Sequence, residues 1–286
     1  MERRTVRITE SLHVGGGGPL FLIAGPCVAE SADLCLEVAR AVKKTADALG
    51  VPYVFKSSYD KANRSSSKSY RGPGRSKGLE FLKRVREETG VPVLTDVHSV
   101  AEVEPVAEVA DVLQVPAFLC RQTDLIRSVA SSGRCVNLKK GQFIAPWDFH
   151  LAAEKAEETG NRNLLLTERG TSFGYNQLVV DMRSIPMLQE TGYPVVFDGT
   201  HSVQEPGGLG TATGGRRDMI PVLVRAACAA GADGIFLEVH PRPDEALCDA
   251  PNTLALKDLP RLLDQALAIR EAAGATPEGR DRMRRP

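Results

Sequence analysis

Eight short apolar runs recur along the chain, and each closes on residues suited to chemistry rather than packing. They are FLIAGPC with Cys27, PYVFKSS with Lys56, PVLTDVH with Asp96 and His98, and DVLQVP with Gln114. CVNLKK with Lys139, LLLTERG with Glu168 and Arg169, VVFDGTH with Asp198 and His201, and GIFLEVH with Glu238 and His240 complete the set. A strand buried on both faces reads as a continuous apolar run. The segments between the runs carry helical spacing. Residues 32–49 place Leu34, Val38, Val42 and Ala46 four apart, and Gly50 follows as a stop. Further helices are predicted near 77–89, 99–109, 122–132, 149–159, 176–191, 215–230 and 258–273. Strands and helices alternating eight times predict an α/β fold of the (β/α)8 TIM-barrel type. Active sites of that fold gather at the C-terminal ends of the strands.

The flanks add less. Residues 5–9 and 12–14 predict a short β-hairpin plugging the N-terminal mouth of the barrel, ahead of Gly15–Gly18. The whole of 1–273 then reads as one catalytic domain, with 274–286 (GATPEGRDRMRRP from Gly274) as a disordered tail lacking an apolar face. Three connections stand out: 57–75, with five Lys or Arg; 199–217, rich in Gly; and 240–257, broken by Pro241, Pro243 and Pro251. Long loops inside a compact domain are usually functional. Gly214 and Gly215 could open the seventh helix or belong to a flexible lid, and no dinucleotide fingerprint follows the first strand.

Charge and composition narrow the function. The 36 basic and 36 acidic residues cancel, which argues against nucleic acid as the main ligand. No apolar run is long enough to span a bilayer and the N-terminus has no apolar signal core, so a cytoplasmic enzyme is expected. Six scattered cysteines lack the spacing of a disulfide framework and read as reduced, buried or metal-binding.

At the strand ends, Cys27, His201, Glu238 and Asp249 offer one thiolate, one imidazole and two carboxylates, a set suited to Zn²⁺, Fe²⁺ or Mn²⁺. The alternative is a small buried cysteine and an ion-paired glutamate. Lys56, Lys61, Arg64, Lys139, Arg169 and Arg121 lie at or just past strand ends. A phosphate monoester uses two or three such cations, so their number suits two phosphorylated ligands better than one. Asp96, His98, Asp198 and His201 are candidate proton-transfer groups, with a supporting role equally open for Asp198. His13 and His150 read as surface residues.

The motifs AGPCVAES, FKSSYDKANRSS, SYRGPG, TDVH, QVPAFLCRQTDL, NLKKGQF, ERGTSFGYNQLVVDMRSIP, FDGTHSVQ, GGRR and EVHPRPDEALCDAP together resemble the 3-deoxy-D-manno-octulosonate 8-phosphate synthases. The resemblance runs from about residue 5 to residue 272. It implies condensation of phosphoenolpyruvate with D-arabinose 5-phosphate, release of phosphate, a place in lipopolysaccharide biosynthesis, and a homotetrameric barrel. The related 3-deoxy-D-arabino-heptulosonate 7-phosphate synthases, which use erythrose 4-phosphate, look like KPRTS where this chain has Lys61-Ala62-Asn63-Arg64-Ser65. A non-catalytic sugar-phosphate-binding barrel is the alternative from outside enzymology.

On the resemblance, Lys61, Gln114, Lys139, Arg169 and His201 would hold phosphoenolpyruvate. Lys56, Asn63, Arg64, Ser65 and Gln204 would hold the sugar phosphate, with Arg121 reaching across a subunit interface. Lys56, Asp96, His98, His201 and Asp249 would serve the reacting atoms. Cys27, where the metal-independent branch has Asn, implies the metal-dependent branch, with Cys27, His201, Glu238 and Asp249 as ligands. The segment Cys248-Asp249-Ala250-Pro251 departs toward the CDGP of the other branch, so the geometry at Asp249 and the choice of ion stay open.

Overall fold

The computed structural model describes residues 3–64, 66, 69–208 and 213–274. Eight parallel strands close on themselves: β1 (Phe21–Gly25), β2 (Tyr53–Lys56), β3 (Val93–Asp96), β4 (Val112–Val115), β5 (Cys135–Lys139), β6 (Leu164–Glu168), β7 (Val195–Asp198) and β8 (Gly234–His240). Each pairs with its neighbours in sequence, and β8 closes the ring onto β1. Every residue of these strands is buried, as continuous apolar runs require. Outside them lie α1 (Ala32–Leu49), α2 (Arg75–Thr89), α3 (Val103–Val109), α4 (Thr123–Ser131), α5 (His150–Glu157), α6 (Ser184–Gln189), α7 (Ile220–Ala229) and α8 (Leu259–Ala272). In α1 the Ser31 hydroxyl accepts from the Leu34 amide, and Gly50 ends the helix in the left-handed conformation. The fold is the predicted (β/α)8 barrel.

The hairpin forms between Thr5–Arg7 and His13–Gly15, with Val6 opposite Val14 and both buried. Arg4 donates its amide to the Gly192 carbonyl and Arg7 to the Asn163 side chain. Both partners precede strands, so the hairpin covers the N-terminal mouth. His13 and His150 are exposed. The expected disordered tail falls almost wholly on residues outside those described.

Three expectations are corrected. The helix predicted over 176–191 shrinks to α6, because Thr171–Ser172 pairs with Leu178–Val179 and Asn176 takes a left-handed φ of 56°, which no helix path tolerates. Gly214–Gly215 do not open the seventh helix; they pair antiparallel with Gln204–Glu205. The helix starts at Ile220, where Pro221 sits in its first turn and needs no N–H partner. The predicted helix over 99–109 is split, with a tight turn at Val100–Glu102 before α3.

Register sets the site. Glu238 lies level with Gly25, Asp96 with Gln114, and Gln114 with Asn137. A Cβ on Gly25 would stand 2.0 Å from the Lys56 carbonyl oxygen. Gly25→Ala must therefore push β1 from β2, at about 1–3 kcal/mol. A fall of several degrees in Tm is expected, and an unchanged Tm would refute this close approach.

Candidate active site

The C-terminal strand ends enclose a cavity of about 390 Å³. Its wall includes Lys56, Lys61, Asn63 and Arg64 from β2 and its loop, and Asp96 and His98 from β3. Gln114, Lys139, Arg169, His201, Gln204 and Asp249 complete it from the later strands and loops. Twelve sites named from the sequence thus meet around one space. Cys27 and Glu238 lie just behind them.

Glu238 is fully buried, and its Oε1 gathers three nitrogens: Lys56 Nζ at 2.8 Å, Lys61 Nζ at 3.4 Å and His201 Nε2 at 3.5 Å. Lys56 also donates to the Cys27 carbonyl at 3.2 Å. Burial alone would raise the Glu238 pKa, but His201, Lys56 and Lys61 outweigh it and hold the carboxyl well below its ordinary value. Its Oε2 is buried without a hydrogen-bond partner.

His201 is fixed from its other side, with Nδ1 2.7 Å from Asp198 Oδ2. Asp198 also accepts from Lys139 Nζ and from the Thr200 and His201 amides. Burial opposes the Asp198 charge, yet His201 and Lys139 hold its pKa far below the usual carboxylate range. The two lysines rest over one aromatic floor, Lys139 Nζ 4.2 Å and Lys56 Nζ 5.4 Å from the Phe236 ring centroid.

From Arg169 to the mouth, side chains form a bridge. Arg169 Nη2 donates to Gln204 Oε1 at 2.8 Å, and Gln204 Nε2 donates to Asp249 Oδ2 at 2.8 Å. Arg64 Nη1 reaches Asp249 Oδ1 at 3.1 Å. Arg169 Nη1 is buried with no hydrogen-bond partner. Below Arg169, the buried Lys140 donates to the Gly141, Ile144 and Gly170 carbonyls and lies 3.5 Å from Glu168 Oε1, tying together the loops after β5 and β6.

The candidate ligands fall into two groups that share Asp249. His201, Glu238 and Asp249 bring one ligand atom each to within 4.8 Å of one another, and so do Cys27, Cys248 and Asp249. Cys27 is held as a neutral thiol by burial and by the neighbouring Cys248. Cys248, one of the six scattered cysteines, is carried back beside Cys27 by the loop after β8. Asp249 takes a left-handed φ of 50°.

Two predicted residues are not placed in the cavity. Arg121 is exposed outside it, just before α4, and Ser65 lies outside the described residues. Sequence reasoning missed a wall beneath the site. Ser58 and Gln114 donate to the two oxygens of Asp96, Asn137 Nδ2 donates to Gln114 Oε1 at 2.7 Å, and Thr167 Oγ1 donates to Asn137 Oδ1 at 2.6 Å. The available signal was spacing, for Asn137 and Thr167 stand two residues before Lys139 and Arg169 and so share their face.

A model of the DAHP synthetase I family matches residues 4–273. The 2-dehydro-3-deoxyphosphooctonate aldolase of Desulfosudis oleivorans is 57% identical, covering 93% of this chain and 96% of that protein. The protein of the same name from Nitratidesulfovibrio vulgaris strain DP4 is 58% identical over 91% and 95%, and that of Cyanothece sp. strain PCC 7425 is 54% identical over 93% and 98%.

The buried carboxylates predict an acid-labile fold. Asp198 has a folded pKa below its unfolded value of about 3.9, so the unfolded chain binds the proton first. Its stabilisation is present above about pH 4 and is lost as pH falls below that. Urea midpoints should drop between pH 5 and 3, and Asp198→Asn should lower the midpoint at pH 7 while flattening that decline. A wild-type midpoint level down to pH 3 would contradict the assignment.

Proposed function

The chain belongs to the DAHP synthetase I family, among its 2-dehydro-3-deoxyphosphooctonate aldolases, and on that premise we propose that it condenses phosphoenolpyruvate with D-arabinose 5-phosphate and water, giving 3-deoxy-D-manno-octulosonate 8-phosphate and phosphate for lipopolysaccharide biosynthesis. One observation carries the reading. A single cavity is bordered on one side by Lys61, Lys139 and Arg169 and at its mouth by Asn63 and Arg64, which gives two anion sites on either side of one reaction space. The Lys61-Ala62-Asn63-Arg64 sequence at the mouth favours the five-carbon sugar over erythrose 4-phosphate. The array of buried charges is more than a passive sugar-phosphate binder needs.

In this mechanism C3 of phosphoenolpyruvate attacks the sugar aldehyde, C2 becomes electron-poor, water adds there, and phosphate leaves. Lys61, Lys139 and Arg169, with Gln114, hold the phosphoenolpyruvate phosphate and carboxylate, and the unpartnered Arg169 Nη1 has a donor to spare for them. Such positioning can contribute several kcal/mol. Asn63, Arg64 and Ser65 hold the sugar phosphate end, with Gln204 and Lys56 nearer its hydroxyls. Asp96 and His98 take hydroxyl hydrogen bonds, while Lys56, His201 and Asp249 lie closest to the proton movements.

Cys27, His201, Glu238 and Asp249 fit a divalent metal ion such as Zn²⁺, Fe²⁺ or Mn²⁺. The support is the buried, unpartnered Glu238 Oε2, the clustering of ligand atoms, and Asp198 on His201 Nδ1, which leaves Nε2 as the ligating nitrogen. Bound there, the ion supplies Lewis acidity toward the aldehyde or the water. The cytoplasm is the proposed location; among the described residues no helix is long and apolar enough to cross a membrane. A homotetramer is proposed too, supported by the exposed Phe118, Phe143, Trp147 and Phe173 and by Arg121, which is free to reach a neighbour's cavity.

Phosphate should be released only when both substrates are present. Arg64→Ala should raise KM for arabinose 5-phosphate roughly ten- to hundredfold, the worth of a charged hydrogen bond, with KM for phosphoenolpyruvate within about twofold; equal effects on both would refute the assignment. Chelation should remove bound metal and activity together, and restored divalent ion should recover both. Full activity in metal-stripped protein would sink the metal reading.

A further inference from the structure

Behind the cavity, four side chains from four successive strands form one hydrogen-bonded line: Asp96 of β3, Gln114 of β4, Asn137 of β5 and Thr167 of β6. Asn137 and Thr167 are fully buried, and neither borders the cavity. We propose that Asn137 and Thr167 are positioning residues that fix the amide of Gln114 and, through it, hold Asp96 as a permanent hydrogen-bond acceptor in the site. The inference rests on the condensation reading, because it assigns how that site presents Gln114 and Asp96 to substrate.

The line has a direction, and chemistry sets it. An ionised carboxylate only accepts, so Gln114 must turn its Nε2 toward Asp96. Its Oε1 then faces β5 and needs a donor, which Asn137 Nδ2 supplies at 2.7 Å. Asn137 Oδ1 in turn needs a donor, and the Thr167 hydroxyl supplies it at 2.6 Å. With Asp96 ionised, every link has this one orientation. A protonated Asp96 could donate to Gln114 Oε1 only if both amides and the Thr167 hydroxyl turned together, so the line as it stands and the ionised carboxylate support one another.

The surroundings of Asp96 favour the same state. Ser58 donates to its second oxygen. Lys56 and Lys61 face it from β2 and the loop beyond, His98 from the end of its own strand, and Tyr59 lies alongside. Burial opposes the charge, but Lys56, Lys61, His98 and the Ser58 bond outweigh it and keep the pKa below the ordinary value. Asp96 is thus built to receive a hydroxyl hydrogen bond, and Gln114 keeps its second Nε2 hydrogen for an anionic partner. This refines the sequence expectation that Asp96 moves a proton.

Two variants test it. Asn137→Leu removes the donor to Gln114, and Thr167→Val removes only the last hydroxyl while keeping shape, so it decides the matter if the leucine variant fails to fold. In Thr167→Val, kcat should fall about three- to tenfold with Tm near wild type, as for one lost buried hydrogen bond. In both variants the acid limb of the kcat profile should move up by about half a pH unit or more. A lesion confined to stability would leave that limb in place. A second measurement needs no substrate: carboxyl-¹³C spectra of aspartate-labelled protein, with Asp96→Asn identifying the resonance, should show Asp96 titrating at higher pH in both variants. Folded variants with an unchanged acid limb and an unchanged Asp96 resonance would overturn the proposal. If the wild-type protein releases no phosphate from the two substrates, the functional reading falls, and the carboxyl spectra alone still decide the role of the wall.

Discussion

Glu238 is the charge on which the site depends. A carboxylate taken out of water without compensation costs several kcal/mol, and here compensation arrives from three separate places: β2, the loop beyond it, and the turn after β7. None of these is near Glu238 in sequence. They meet only when the barrel closes with β8 against β1, at a register that sets Glu238 beside Gly25. Gly25 in turn leaves room for the Lys56 backbone. Ring closure, strand register and the charge state of the site are therefore one constraint rather than three. A slip of one residue would turn the carboxylate away from its cations, because successive side chains on a strand face opposite ways.

The interior is built in levels two residues apart. Asn137, Thr167 and Phe236 lie deep, while Lys139, Arg169 and Glu238, each two positions further along, reach the site. The deep level is apolar on the β8 side, where Phe236 underlies two lysines. It is hydrogen-bonded on the β3 to β6 side. The difference follows from what stands above: cations tolerate an aromatic face, whereas an amide and a carboxylate need oriented partners.

The strands and their terminal residues were legible because both faces of a closed parallel barrel are buried, so polar residues survive inside the runs only where something demands them. The same logic should have marked Asn137 and Thr167, which interrupt apolar runs without being at their ends. Their position inside the run rather than at its end makes them look like part of the packing. Loop structure was less legible. Leu178 and Val179 have apolar character compatible with either helix or hairpin, and Asn176, free to adopt a left-handed turn, decided for the hairpin. Gly214 and Gly215 fit a helix start on paper, but Gly is a weak helix former and Pro221 was the better start signal. The meeting of Cys248 with Cys27 could not be read at all, since it depends on the path of 240–257. Arg121, counted with the strand-end cations, lies exposed outside the cavity of its own chain.

The side-chain bridge from Arg169 through Gln204 and Asp249 to Arg64 carries a consequence for entry into the cavity. Arg64 already has a carboxylate counter-ion, so an arriving phosphate does not meet a bare cation. On the role proposed for Arg64, the phosphate would exchange places with Asp249. Much of the dehydration of Arg64 has been accomplished by the fold beforehand, and the displaced Asp249 must find new partners. Because Gln204 links Asp249 to Arg169, that exchange at the rim would be felt two residues away, at the guanidinium in the depth of the cavity. The mouth would then behave as an ion exchanger rather than a charged funnel, with attraction of the phosphate from a distance depending only weakly on ionic strength.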